Sequence, residues 1–254
     1  MKKLALLSFN LLLILFFTRG IFAQTMDSAA VKPFNDGLAK IQKADYKGAL
    51  ADFENALKVE KDYRIYYQIG FAQQNLNNPD EAISAYKNTI KEKPDFDAAY
   101  NNLGNVYFSQ GKYQDAIDNF DKVLSISKND TVQNTVKYNI ALCYTSLAQA
   151  AEKSKNNKKA VELLKKAVSN YDYDAAYFYL ARDYFIMNQF DNSIKAGENA
   201  IKYRKSISEG SIYYYMGVAY SKKNDTKKAK EYLEKAKADP VYKTYAETVL
   251  KSLK

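Results

Sequence analysis

One interval runs through this chain and constrains it more than any other feature: a small residue returns in the same local setting at Gly37, Gly70, Gly104, Ala141, Ala181 and Gly217, at spacings of 33, 34, 37, 40 and 36. A second small column follows at Ala49, Ala82, Ala116, Ala160, Ser193 and Ala229. Four residues later stand Phe53, Tyr86, Phe120, Leu164, Gly197 and Leu233, and three beyond those Ala56, Thr89, Val123, Ala167, Ala200 and Ala236. A period of this length means a stack of similar units, each too small to bury its own apolar face and therefore obliged to pack on its neighbours.

Within each unit the apolar residues recur at helical spacing in two halves, for example Tyr100, Leu103 and Tyr107, then Ala116, Phe120 and Val123. The spacing predicts two amphipathic helices joined by a short polar turn. Small residues at the Gly104 and Ala116 columns let the two helices approach closely, and large ones at the Tyr107 and Phe120 columns fill the space beside them. With Tyr100, Leu103, Gly104, Tyr107, Gly111, Tyr113, Ala116 and Phe120 in one unit and Tyr66, Ile69, Gly70, Ala82, Tyr86 and Pro94 in the one before, the chain resembles the tetratricopeptide repeat, a helix-turn-helix unit of about 34 residues. The resemblance covers roughly residues 30–240. It implies an all-α fold: a right-handed superhelical solenoid of about six units over residues 30–62, 63–96, 97–133, 134–173, 174–209 and 210–240, closed by a capping helix over 241–254. In that helix Val241, Tyr245, Val249 and Leu253 share one face.

The departures carry expectations of their own. Gly197 replaces a large residue, which should leave a gap and make the fifth hairpin the least stable. Lys137 stands where the first aromatic of the fourth unit belongs, and Pro33 and Asp36 take normally apolar positions in the first unit, as suits an end with no neighbour. Ala141 to Ala160 spans 19 residues where Gly104 to Ala116 spans 12, so the fourth unit has seven extra. Ile140, Tyr144, Leu147, Ala148 and Ala151 continue the helical stripe, which places the extra turns on the first helix and makes residues 147–155 a projection. It is either a partner-specific lip or a tolerated insertion.

In tetratricopeptide arrays the first helices line a concave groove that receives a peptide, so the resemblance implies a protein-binding module. By register the groove column holds Phe34, Tyr67, Asn101, Tyr138, Phe178 and Tyr214, and the column four later holds Leu38, Phe71, Asn105, Leu142, Arg182 and Val218. Aromatic rings with a few polar groups are the anchor chemistry of protein interfaces. The competing reading is that these rings pack against the next unit. The family's clamp for a C-terminal carboxylate uses Lys and Asn at fixed groove positions. Asn105 matches one of them, but no Lys stands in the Tyr67 and Tyr138 column, so that mode is not expected.

A second candidate surface is basic. Lys155, Lys158 and Lys159 crowd one inter-helix turn, with Lys153, and Lys222, Lys223, Lys227 and Lys228 crowd another. Glu152, Glu162 and Asp225 intervene, and neither cluster alternates with exposed aromatics, so a solvated face is the stronger reading and nucleic acid is not expected. Composition narrows the chemistry further: with no His and one Cys among 254 residues, a Ser-His-Asp or Cys-His nucleophile and an ordinary zinc site are ruled out. Cys143 shares a column with Ala72, Val106 and Ala219, which marks it as a small core residue. Asp172 and Asp174 favour a helix start, with no second acidic cluster to complete a metal shell. No phosphate loop, cofactor motif or catalytic pair is expected, and an envelope glycan hydrolase working through carboxylates remains the remote alternative.

The first residues, MKKLALLSFNLLLILFFTRGIFAQ, place Lys2 and Lys3 before an apolar run from Leu4 to Phe17 and Ala23 before Gln24. This reads as a secretory signal peptide over 1–23, short of the roughly 20 apolar residues of a bilayer span. Cleavage would leave 35 − 29 = +6 over 231 residues, with no further long apolar run. The expectation is therefore an exported bacterial protein, periplasmic or secreted, acting without catalysis as an adaptor or assembly scaffold for protein or peptide partners. Two copies could pair through the groove or an end unit. The alternative is a spacer subunit binding through its ends and the 147–155 projection.

Overall fold

A computed structural model describes residues 26–253, and over them the chain is helical throughout, with thirteen helices and no strand. The helices follow one another in pairs: α1 Ser28–Gln42 with α2 Tyr46–Val59, α3 Tyr63–Asn75 with α4 Pro79–Glu92, α5 Asp97–Ser109 with α6 Tyr113–Ile126, α7 Asp130–Lys153 with α8 Asn157–Asn170, α9 Asp174–Ile186 with α10 Phe190–Lys202, and α11 Glu209–Lys222 with α12 Thr226–Ala236. A last helix, α13, runs over Lys243–Ser252. The helices fall into two compact units, Met1–Val106 and Tyr107–Lys254. The expected signal segment lies outside the described residues.

Every pair turns in the same way. One residue in each turn takes a left-handed conformation: Ala44, Asn77, Gly111, Lys155, Asn188 and Asn224, with φ between 57° and 73°. The next residue's N–H reaches back to a carbonyl five positions earlier, as in Asp45 to Lys40, Asn156 to Ala151 and Asp225 to Tyr220. Those bonds satisfy carbonyls that a helix end would otherwise leave open. Asn and Gly enter the left-handed region at little cost, whereas Ala44 and Lys155 do so at roughly 1 kcal/mol.

The columns read in sequence become contacts. In the first unit a Cβ added to Gly37 would lie 2.5 Å from the Phe53 ring, and one added to Gly70 would lie 2.6 Å from Tyr86. Gly217 faces Leu233 in the same way in the second unit, at 2.7 Å. The Ser193 hydroxyl, standing where Ala is usual, donates to the Ala181 carbonyl at 2.7 Å and so is buried without loss. Cys143 is fully buried, and burial pushes its thiol up to about 12.

Three expectations are corrected. Gly197 leaves no gap: a Cβ there would lie 2.5 Å from Met216 Cγ, so the α11 side chain has filled the space from the following unit. Gly197 is itself buried, which is why no larger residue fits. Residues 147–155 are only in part a projection. The insertion does lengthen α7 to 24 residues, but Ala148 is fully buried beside Ala160 and Leu164, and Glu152 pairs with Arg182 of α9. Continuous exposure begins only at Lys153 and runs through Ser154, Lys155 and Asn156, with Ala150 exposed one turn earlier. The capping helix packs by only part of its expected face: Val249 and Leu253 lie beside the cluster as expected, but Ala246 is the buried centre, against Val218, Leu233 and Ala236, with Leu250 also beside it, and the helix starts at Lys243, after Val241. Val241 and Tyr245 are left 68% and 60% exposed.

Candidate partner-binding surfaces

In the unit Met1–Val106 the groove columns belong to α1, α3 and the first part of α5. Phe34 is half-buried against Phe53, and Phe71 lies edge-on to Tyr46 with centroids 6.3 Å apart. Tyr67 is held on three sides: edge-on to Phe96 at 5.1 Å, tilted on Tyr86 at 5.9 Å, and with its hydroxyl accepting from Asn102 Nδ2 at 3.1 Å. Burial pushes the Tyr67 phenol up to about 12. Tyr67 is thus mainly a packing residue that ties α3 to α5. Asn101 and Asn105, one turn apart on α5, differ from it in kind. Both are half-buried, and each holds a buried amide oxygen without a hydrogen-bond partner. Such atoms are uncommon because an unmet buried acceptor costs about 1–3 kcal/mol.

In the unit Tyr107–Lys254 the predicted rings also interlock. Tyr138 is half-buried and edge-on to Tyr171 and Tyr173 at 5.2 and 5.6 Å. Phe178 is only 9% exposed, tilted on Tyr179 and edge-on to Tyr215, so it presents almost nothing to a ligand and leaves the candidate set. Tyr214 keeps a half-buried edge beside Tyr215, Tyr242 and Tyr245. The competing reading of the aromatic column thus holds for Phe178 and in large part for Tyr67. The physical reason is that other rings pack around each: Tyr86 of α4 and Phe96 before α5 enclose Tyr67, and Tyr179 of the same helix and Tyr215 of α11 enclose Phe178.

Arg182 is occupied as well. Its guanidinium pairs with Glu152 of α7 and, at 3.3 Å, with Asp183, and lies 4.8 Å from the centre of the Tyr179 ring. Asp183 is 1% exposed; burial first and the Glu152 carboxylate second push it up to about 7, against the opposing pull of Arg182. Sequence reading missed this cluster, because the seven-residue insertion alone brings Glu152 to α9. It also has no open approach, with Asp183 enclosed and one oxygen of each carboxylate buried. Nothing there matches a carboxylate pair flanking a glycan.

The basic turns stand on open surface: Lys155, Lys158 and Lys159 beside one, Lys222, Lys223, Lys227 and Lys228 beside the other. Lys223 pairs with Asp191, and Lys228 lies 5.0 Å from the centre of the Tyr220 ring. No group of three or more acidic or Cys side chains placed to hold a metal ion occurs among the described residues, and no described helix is long and apolar enough to cross a membrane.

Models of the tetratricopeptide repeat match residues 76–111, 95–172 and 210–238, so these stretches carry such repeats. Over 118 residues, 46% of the chain, the sequence is 30% identical to small glutamine-rich tetratricopeptide repeat-containing protein 2 of Saccharomyces cerevisiae, of which 33% is covered. Over 97 residues, 37% of the chain, it is 32% identical to tetratricopeptide repeat protein 37 of Xenopus laevis, of which 6% is covered. The chain thus spans about a third or less of these curated relatives. Among solved structures, the C-terminal part of a tetratricopeptide repeat protein from Cytophaga hutchinsonii covers 81% of this chain and 78% of its own, with a TM-score of 0.53 at 16% identity. YrrB, a tetratricopeptide repeat protein with an unusual peptide-binding site, covers 78% of this chain and 97% of its own, with a TM-score of 0.50 at 21% identity. At these identities the likeness is one of fold. Tetratricopeptide repeat proteins are protein-interaction modules.

Proposed function

We propose that this protein is an exported adaptor that holds a segment of a protein partner against the first helices of its repeats, within the bacterial cell envelope. The observation that carries the binding reading is the pair Asn101 and Asn105. Their amide oxygens are buried, unbonded and one helical turn apart, on the helix that Asn102 ties to Tyr67. An extended peptide carries main-chain N–H donors that would satisfy both once the two half-buried amides turn outward, and Tyr67 and Phe71 offer half-buried ring edges for its side chains. Two orphan acceptors are a standing cost in the free protein that a bound chain removes. Support for export comes from Lys2, Lys3 and the apolar run that follows them.

The test uses these two residues because truncating an unpaired polar group does not harm the fold. Asn101→Ala and Asn105→Ala, alone and together, should leave helix content and thermal midpoint unchanged or slightly raised. Affinity capture from envelope extract by the parent chain should then show a partner that the folded double variant loses. Equal retention by both would remove the α5 face from the mechanism. Export is checked separately by N-terminal sequencing of the protein from envelope fractions: a mature end at Gln24 is expected, and an intact Met1 would overturn it.

A further inference from the structure

A second surface lies outside the groove columns, at the repeat position where Lys137 departs from the aromatic pattern. In the next pair the residue of that column, Tyr177, stacks on Tyr203 just after α10, with centroids 5.7 Å apart and planes 14° from parallel. Lys137 supplies no ring to cover Tyr171 after α8 in the same way. A cleft of about 540 Å³ is open there, lined by Lys137 on α7, Tyr171 and Asp172 between α8 and α9, and Lys202, Arg204 and Lys205 at the end of α10 and beyond it. Four cations and one carboxylate, Asp172, line the cleft, all four cations are exposed, and among the described residues Arg204 is the one held in a close ion pair, with Glu209 at 3.0 Å, while Asp172 attracts Lys202 from further off. Lys202 lies over the Tyr203 ring, and Lys205 reaches the Tyr171 hydroxyl at 3.5 Å.

The segment bearing these charges is held in place from below. The Asp174 carboxylate, 2% exposed, accepts from the backbone N–H groups of Lys205, Ser206 and Ile207 at 2.7, 2.5 and 3.1 Å and from the Ser206 hydroxyl. Burial alone would raise this carboxyl, but those donors outweigh it and hold it below the ordinary range. Asp174 therefore stays ionised with its oxygens bonded below the turn, so it offsets part of the positive charge above it, while the Lys137, Lys202 and Lys205 ammonium groups remain on open surface. The cations are fixed to an ordered turn, which reduces the ordering cost of binding.

We infer that this cleft docks an acidic segment of a protein partner, with several Asp or Glu residues along an extended chain. Lys137 on α7 faces the exposed run Lys202, Arg204 and Lys205 across the cleft, which suits carboxylates spaced along a chain. A single phosphate would call for buried donors converging on one point. The Asn134 amide in the same lining can meet peptide groups, as can the amide oxygen of Asn170, whose N–H donates to the Lys166 carbonyl. Nucleic acid is disfavoured because the rings that could stack on bases are already engaged, Tyr203 by Tyr177 and Tyr171 by Tyr138. This surface stands whether or not the Asn101 and Asn105 face binds a peptide.

The test is fluorescence anisotropy with the full chain and a labelled twelve-residue peptide carrying Glu or Asp at alternate positions. A peptide with Gln and Asn in their place and a single-stranded oligonucleotide of equal charge serve as the other probes. The acidic peptide should bind, the neutral one should not, and affinity should fall with added salt. The variant Lys137→Gln, Lys202→Gln, Lys205→Gln should bind about tenfold more weakly. The variant Lys155→Gln, Lys158→Gln, Lys159→Gln removes the same charge from the α7–α8 turn and should change affinity less than about twofold. All six residues are exposed, so both variants should fold, as circular dichroism will show. No binding of the acidic peptide, or equal weakening by both variants, overturns the inference. An oligonucleotide that binds more tightly and loses affinity with the cleft variant overturns it in favour of nucleic acid.

Discussion

Gly197 offers a measurement in which two readings of the same residue predict opposite signs. A gap opposite Ala181 would be filled by a side chain at 197, with a gain in stability. The structure instead places Met216 Cγ 2.5 Å and Sδ 2.9 Å from a Cβ at that position, with Ile212 Cγ2 at 3.7 Å. Met216 is flexible but 1% exposed, so it has little room to retreat. Overpacking of this kind costs about 1–3 kcal/mol, while replacing a mid-helix Gly by Ala returns about 1 kcal/mol of helix propensity. Gly197→Ala should therefore destabilise by roughly 0–2 kcal/mol, and Gly197→Leu, which restores the large residue of the column, by about 3 kcal/mol or more. Met216→Ala alone should cost about 2–5 kcal/mol through the cavity it leaves. In that background the added methyl has space, so Gly197→Ala should turn neutral or stabilising by about 1 kcal/mol. The two substitutions are thus coupled by about 1–3 kcal/mol. Urea unfolding followed by circular dichroism gives the four values. Amide exchange in α10 and α11 shows whether the change is local, as a stack of repeats allows. A Gly197→Leu protein more stable than the parent would refute the packing argument outright.

Other outcomes follow from single residues. Asp183, pushed up to about 7 when folded against about 3.9 unfolded, contributes stability that is fully present below about pH 4 and lost as pH rises through 7. Asp183→Asn should flatten that fall and leave the variant about 1–3 kcal/mol more stable than the parent at pH 8, and an unchanged pH–stability profile would contradict it. Ala44→Gly and Lys155→Gly relieve a left-handed conformation and should each raise stability by about 0.5–1 kcal/mol, whereas the same change at a right-handed position such as Ala51 should lower it. Asp174→Ala removes the acceptor of three backbone N–H groups and should cost about 2–3 kcal/mol, with faster amide exchange at Lys205, Ser206 and Ile207. Exchange left unchanged there would mean the carboxylate does not hold the segment.

Much of the fold was legible because the period writes the same contact several times. Gly37, Gly70 and Gly217 each meet the large residue predicted for them, and the pairing of helices needed only the recurrence of small and large residues at helical spacing. The surfaces were less legible. The groove column named the side chains that face one way, but Phe178 is enclosed by Tyr179 and Tyr215, and Arg182 is consumed by Glu152 and Asp183. Exposure depends on what arrives from other helices, and a single chain position does not encode that. The pattern did mark Lys137 as a departure, yet its meaning required Tyr171 and Lys205, 34 and 68 residues further on.

Local periodicity therefore determined the helices, their pairing and the small-against-large contacts inside each pair, since these depend on residues a few turns apart. The tertiary structure alone decided what happens where the pattern breaks. Met216 crosses from one pair to fill the place left by Gly197, Glu152 reaches Arg182 because α7 is long, and Asp174 secures a linker more than thirty residues away. A repeat specifies its regular contacts many times over. An exception is settled once, by whichever side chain the packed neighbours bring to it.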